Sequence, residues 1–187
     1  LSGMLVAADK CTRFFTVDTA MTEKTPSDWS VIAVWDMTPD GDLILVALWR
    51  ASVDSPSLET KIESMNKEWD PAFICLEGVS DGLTLLQRLS RKRVPVRRMQ
   101  YGETFKIPDK VSKASTAEAY FSQFKIWFLA GADYLSILEQ ELLTFPNASH
   151  DDQVDVIAMA AHCLQRYPPV GKLVAVINPM AEALYGA

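Results

Sequence analysis

The run Ala72-Phe73-Ile74-Cys75-Leu76 is apolar without a break and stops at Glu77-Gly78. A short continuous run of this kind reads as a buried strand of a parallel sheet, which needs helices over both faces. The neighbouring segments supply them. Leu58, Ile62, Met65 and Trp69 recur at helical spacing over residues 57–69, and Leu83, Leu86 and Leu89 share one face of a second helix over 81–93.

Upstream lie three β-rich stretches at 13–18, 29–35 and 42–50, and Thr38-Pro39-Asp40-Gly41 between the last two is a hairpin turn signal. Residues 94–99 predict a fifth strand, which Pro95 assigns to an edge. Helical patterns follow over 114–129, 134–144 and from His150 to Arg166, where Tyr167-Pro168-Pro169 ends the last one. The expected fold is α/β. It has a mixed five-stranded sheet, three antiparallel strands and then parallel ones, with helices on both faces. The 187 residues divide into a lead-in (1–12), one domain (13–166) and a tail (167–187).

No apolar run reaches membrane-spanning length, and no signal-peptide layout opens the chain, so no membrane partner is expected. Cys11, Cys75 and Cys163 are odd in number and far apart, which reads as reduced thiols without a zinc-type spacing. The net charge of −6 argues against a general nucleic-acid-binding surface. Yet nine of the eighteen Lys and Arg residues fall between Arg88 and Lys113, against only Glu103 and Asp109. That block fits a local phosphate track and fits equally a solvated helix end and loop.

The acids are the candidates for chemistry. Asp18 closes the first strand and Glu77 the fourth, and functional groups in such sheets collect at the carboxyl ends of parallel strands. If the two strands are neighbours, the carboxylates converge and repel unless a cation or proton intervenes. Each acid alone reads as a solvated strand end. The third element is His150-Asp151-Asp152-Gln153-Val154-Asp155, at the start of the last helix. Ser149 and Asp152 are spaced as a capping box, and acids suit a first turn, but capping does not require three of them. With Val154, Ile157, Ala158, Ala161 and Leu164 as the buried stripe, Asp151 lies at its edge with Asp155 nearby, and Asp152 points further away. Asp152 stays in contention, because first turns are often irregular. His150 reads as a ligand, a DNA contact or a partner for a loop carbonyl, and His162 as a packed helix residue.

Phe15-Thr-Val-Asp18-Thr-Ala, then Ser27-Asp28-Trp-Ser-Val, then Ile74-Cys-Leu-Glu77-Gly, then Glu141-Leu-Leu-Thr-Phe-Pro-Asn-Ala-Ser-His-Asp151-Asp152-Gln-Val-Asp155 together resemble the C-terminal nuclease domain of a tailed-phage or prophage terminase large subunit. The resemblance covers residues 13–166, and its last motif is the most distinctive. It implies an RNase H-like fold and an endonuclease that cuts double-stranded viral DNA concatemers during genome packaging. Asp18, Glu77, Asp151 and Asp152 fall on the family's catalytic, metal-binding acids, with Asp155, His150 and Asp28 supporting. Two Mg2+ or Mn2+ ions are the implied cofactors, since hard cations take carboxylate oxygen. Arg91, Lys92, Arg93, Lys106, Lys110 and Lys113 are the candidate DNA contacts. The implied partners are double-stranded DNA, the terminase ATPase domain, the small terminase subunit and the portal, in the cytoplasm of an infected or lysogenic bacterium. The chain shows no Gly-x-x-x-x-Gly-Lys-Ser/Thr loop, so it is expected to be a nuclease part separated from the packaging ATPase. The rival readings are a junction resolvase or transposase of the same superfamily, and a non-catalytic DNA-binding or assembly module.

Overall fold

The computed structural model describes residues 8–19, 29–77, 81–147 and 151–169. After a 3-10 turn at Ala8–Lys10, the elements are β1 (Thr12–Asp18), β2 (Ser30–Met37), β3 (Leu43–Ala51), α1 (Ser55–Trp69), β4 (Phe73–Leu76), α2 (Asp81–Arg91), β5 (Val96–Arg98), α3 (Lys110–Ser122), β6 (Ile126–Phe128), α4 (Leu135–Thr144) and α5 (Asp152–Arg166). The sheet order is β5-β4-β1-β2-β3-β6. β1, β2 and β3 are antiparallel, whereas β4 lies parallel to β1, β5 to β4 and β6 to β3.

The β2–β3 hairpin closes as its turn signal implies. Gly41 sits at φ +77, a left-handed conformation that glycine adopts without steric cost, and its N–H donates to the Thr38 carbonyl at 3.0 Å. Asp54 caps α1 by accepting from the Ser57 N–H at 2.9 Å, with a proline in the helix's first turn. β5 is an edge strand, as expected, with Pro95 just ahead of its first residue.

Among the described residues the sheet has six strands, not five. The segment predicted as one helix over 114–129 divides into α3 and β6. Asp109 starts α3 earlier than expected by accepting the Ser112 N–H at 3.0 Å, and Phe124 at φ +54 turns the chain into β6.

Alternation along β1 divides the core between two layers. Phe15 and Val17 join Ile32 and Val34 under Leu58, Ile62 and Met65 of α1 and Leu85 and Leu89 of α2. Phe14 faces the other way with Val31, Ala33 and Trp35, against α5, Ala117 of α3 and Leu138 of α4. Ten of the fifteen residues of α5 are buried, so this helix is clasped on nearly all sides. Among the described residues, no helix is long and apolar enough to cross a membrane.

Candidate metal-binding active site

The register of the two central parallel strands builds the first half of the site. Val17 of β1 pairs with Leu76 of β4, so the next residues, Asp18 at the end of β1 and Glu77 just past β4, stand side by side at the same end of the sheet. Gly82 in the first turn of α2 backs this position. A Cβ there would stand 2.3 Å from the Glu77 carbonyl oxygen, so only glycine permits the approach.

A buried hydrogen-bond chain brings in the second half. Trp35 Nε1 donates to Thr16 Oγ1 at 3.0 Å, and Thr16 Oγ1 donates to the Val156 carbonyl at 2.9 Å. Thr16 and Asp18 share a sheet face, and Asp155 immediately precedes Val156. This tether therefore brings Asp155 to Asp18. Asp155 is the foremost charge acting on Asp18, ahead of Glu77.

The acids at the start of α5 are not needed to cap it. Glu141 of α4 is buried, and its Oε1 accepts the Gln153 N–H at 2.7 Å, with the Val154 N–H at 3.4 Å. Its Oε2 accepts from Gln153 Nε2 at 2.6 Å. Asp151 stands at the N-cap position with no side-chain capping bond. Capping thus comes from a neighbouring helix, and Asp151, Asp152 and Asp155 remain available for cations.

Each of the three meets a different one. Asp155 Oδ1 lies 2.9 Å from Lys113 Nζ, and the same ammonium lies 2.5 Å from Glu77 Oε1. Asp152 lies 3.4 Å from Arg50 Nη2, and Asp151 lies 2.5 Å from the exposed Lys110 Nζ. The Arg50 guanidinium stacks over Trp29 at 4.9 Å and lies 3.8 Å from Glu141, which links the cap to Asp152. The Tyr101 hydroxyl donates to Glu77 Oε1, the oxygen that Lys113 also holds.

The electrostatics are those of a site that needs positive charge. Burial, then Asp155 and Glu77, push the Asp18 carboxyl well above the usual carboxylate range against the pull of Lys113. Burial likewise raises Asp155 and Asp152, opposed by Lys113 and Arg50 respectively. Burial acts to lower Lys113, but Asp155 and Glu77 outweigh it and leave the ammonium raised. Burial and the Glu77 charge also raise the Tyr101 hydroxyl, so it stays a donor.

Among the described residues, no three His, Cys, Asp or Glu side chains converge on one ion position as they stand. An ammonium instead joins Glu77 to Asp155. The donor set, all carboxylate oxygen, suits a hard divalent cation.

The candidate residues separate accordingly. Asp18, Glu77 and Asp155 form the inner group, and Asp151 and Asp152 stand at its rim. A helix regular from Asp151 onward would set that residue at the edge of the buried stripe, but α5 begins at Asp152, and Asp151 has φ −136 and ψ 13, off the helical spiral. Asp28, His150 and Ser149 lie outside the described residues. Lys113, expected on a DNA-contacting surface, is 3% exposed within the acid group because its partners lie there. Lys106 and Lys110 are exposed. Arg91, Lys92 and Arg93 lie at the other end of α2, leading into the amino end of β5. Lys92 is engaged there with Glu59 and Glu63 of α1. Glu141, Arg50, Tyr101 and Gly82 received no role from sequence. Only Glu141 carried a signal, as the first residue of the last family-like motif.

The family model of the terminase RNaseH-like domain matches residues 15–164. No curated protein matches the chain. Among solved structures, the fold is similar to the large terminase nuclease from thermophilic phage G20c with bound zinc (15% identity, TM-score 0.63, 81% of each chain). The same nuclease with bound magnesium gives 14% identity and a TM-score of 0.57 over 80% of each chain. The P22 large terminase nuclease domain matches at 9% identity and TM-score 0.65, over 87% of this chain and 86% of that one. At these identities the likeness is one of fold.

Proposed function

This chain belongs to the terminase RNaseH-like domain family, and we propose that it is a divalent-metal-dependent endonuclease that cuts double-stranded viral DNA during genome packaging. The observation that carries this reading is the register match of Asp18 and Glu77 at the ends of two parallel strands, with Asp155 tethered to them through Thr16 and Val156. The G20c nuclease binds zinc and magnesium, which supports divalent-metal use by this acid group as well.

Bound Mg2+ or Mn2+, as a pair, would supply a water of lowered pKa and stabilise the leaving 3′ oxygen of the cut strand. The protein's part is to hold the oxygen donors. Asp18, Glu77 and Asp155 would hold the ions, with Asp151 and Asp152 as further oxygen donors at the rim of the group. Arg50 orients Asp152, and Glu141 keeps the first turn of α5 rigid beneath it. Lys106 and Lys110 attract the DNA backbone without reading its sequence. The whole of residues 13–166 acts as the nuclease unit, in the cytoplasm of the bacterial host. The packaging ATPase, small terminase subunit and portal are its proposed partners.

Cleavage of plasmid DNA tests the reading. Wild type is expected to nick and linearise it with Mg2+ or Mn2+ and to do nothing in EDTA, while a folded Asp18→Ala is inert with either ion. Full activity in EDTA, or in Asp18→Ala, overturns it. A strong preference for four-way junctions over linear duplex would assign the chain to resolvase chemistry instead.

A further inference from the structure

We propose that Lys113 is a tethered cation that holds Glu77 and Asp155 together in the metal-free protein and must withdraw before the site loads metal. This rests on the metal-nuclease reading above. The lysine and a metal ion would compete for the same lone pairs. Glu77 Oε1 already accepts from both the Tyr101 hydroxyl and the Lys113 ammonium, and Asp155 Oδ1 accepts from Lys113 at 2.9 Å. Glu77 Oε1 thus has both its lone pairs occupied, and an ion bound through it must displace one of these donors.

Lys110 and Lys113 both stand in the first turn of α3, and both reach acids of the site, but their settings differ. The Lys110 side chain is 61% exposed, so solvent and salt screen its contact with Asp151. The Lys113 side chain is 4% exposed and is enclosed by Glu77, Asp155 and the Tyr101 ring, 5.8 Å from the ammonium. A screened lysine leaves metal affinity almost unchanged, whereas an enclosed one competes directly. Lysine also suits a removable counter-ion, because its four-carbon stem swings a compact charge aside by rotation. It would keep the acids from repelling each other until an ion arrives, and it would hold the metal-free protein in an uncommitted state.

Mn2+ titration by calorimetry without DNA reads this directly. Lys113→Met keeps most of the stem and removes the charge. It is expected to bind Mn2+ about tenfold more tightly or better, since an opposite charge this close lowers a carboxylate's affinity for a proton by about one to three powers of ten and opposes a divalent cation in the same sense. Lys113→Met should also be less stable than wild type in EDTA, and that deficit should shrink at saturating Mn2+. Equal or weaker Mn2+ binding by folded Lys113→Met overturns the proposal. A measurement on wild type stands beside it in case the variant does not fold. Lysine labelling read by mass spectrometry should find Lys113 protected in EDTA and several-fold more reactive with Mg2+, and unchanged labelling overturns the proposal. Asp18→Asn separates the two failures. If wild type binds Mn2+ no better than Asp18→Asn, the metal-site reading fails and this inference with it. If that difference holds but Lys113→Met matches wild type, only this inference fails.

Discussion

Glu141 Oε1 accepts the backbone N–H of Gln153 at 2.7 Å across the junction of α4 and α5, so a helix that opens with acids is capped by an acid from elsewhere. The site follows from this division of labour. A carboxylate spent on capping its own helix is less available to a cation, and here the cap is supplied from outside. Glu141→Ala would leave buried donors without partners. It should lower stability by about 1–3 kcal/mol, measured by urea denaturation at neutral pH. Glu141→Gln, which keeps the shape and one acceptor, should lose less.

Gly82 makes a second, more local test. Gly82→Ala would force α2 away from the Glu77 carbonyl, because the contact is with backbone and neither partner yields cheaply. Overpacking of this kind costs about 1–3 kcal/mol. Since the strain falls on Glu77 itself, cleavage should drop further than stability does. Cleavage close to wild type in a folded Gly82→Ala would show that the Glu77 position is not critical.

The Thr16 tether should matter in the same way for Asp155. Thr16→Val keeps the shape but leaves Trp35 Nε1 and the α5 register without their shared hydroxyl. A loss of about 1–3 kcal/mol in stability is expected, with weaker Mn2+ binding because Asp155 is no longer held beside Asp18.

The pH dependence has a definite sign. Burial and neighbouring acids raise the Asp18 carboxyl, and burial raises Asp155 and Asp152. A carboxyl raised on folding binds its proton more tightly in the native state, so its contribution is most favourable in acid. It becomes unfavourable as pH rises through and above the ordinary carboxylate range. Asp18→Asn removes that penalty. In EDTA it should be more stable than wild type near neutral pH, with the gap closing as pH is lowered towards the unfolded value. Saturating Mn2+ should reverse the order. A gap that widens in acid would contradict the raised Asp18.

Exposed lysines beside the site and basic residues at the far end of α2 should separate in DNA binding. The loop holding Lys106 runs from Tyr101, which bonds Glu77, to Lys110, which bonds Asp151. Arg91 ends α2, about 16 Å along the helix from its start near Glu77, and Arg93 lies just beyond it. Lys106→Ala with Lys110→Ala should weaken duplex binding and flatten its salt dependence by about two phosphate contacts. Arg91→Ala with Arg93→Ala should change neither.

Sequence carried the sheet further than the site. Periodicity, a turn signal and one proline placed β1 to β5, and the strand-end positions of Asp18 and Glu77 followed from them. β6 was hidden because Ile126, Trp127 and Phe128 continue the apolar content of the preceding helix. The break before them falls at Phe124, a non-glycine residue with positive φ. The Asp109 and Ser112 pair did mark the true start of α3, and with it the turn that carries Lys113. The ranking within Asp151, Asp152 and Asp155 was illegible for another reason. A helix buried nearly all round has no single apolar stripe, so its sequence does not say which face meets the sheet. The Thr16–Val156 hydrogen bond decides that, and it joins residues 140 positions apart.

The most direct test is an anomalous-scattering map from crystals soaked in Mn2+. Manganese is expected between Asp18 and its neighbours Glu77 and Asp155, with the Lys113 ammonium displaced from both. Saturating Mn2+ that leaves Asp18 without an ion, or binds only at acids remote from it, would contradict the metal site on which the nuclease reading depends.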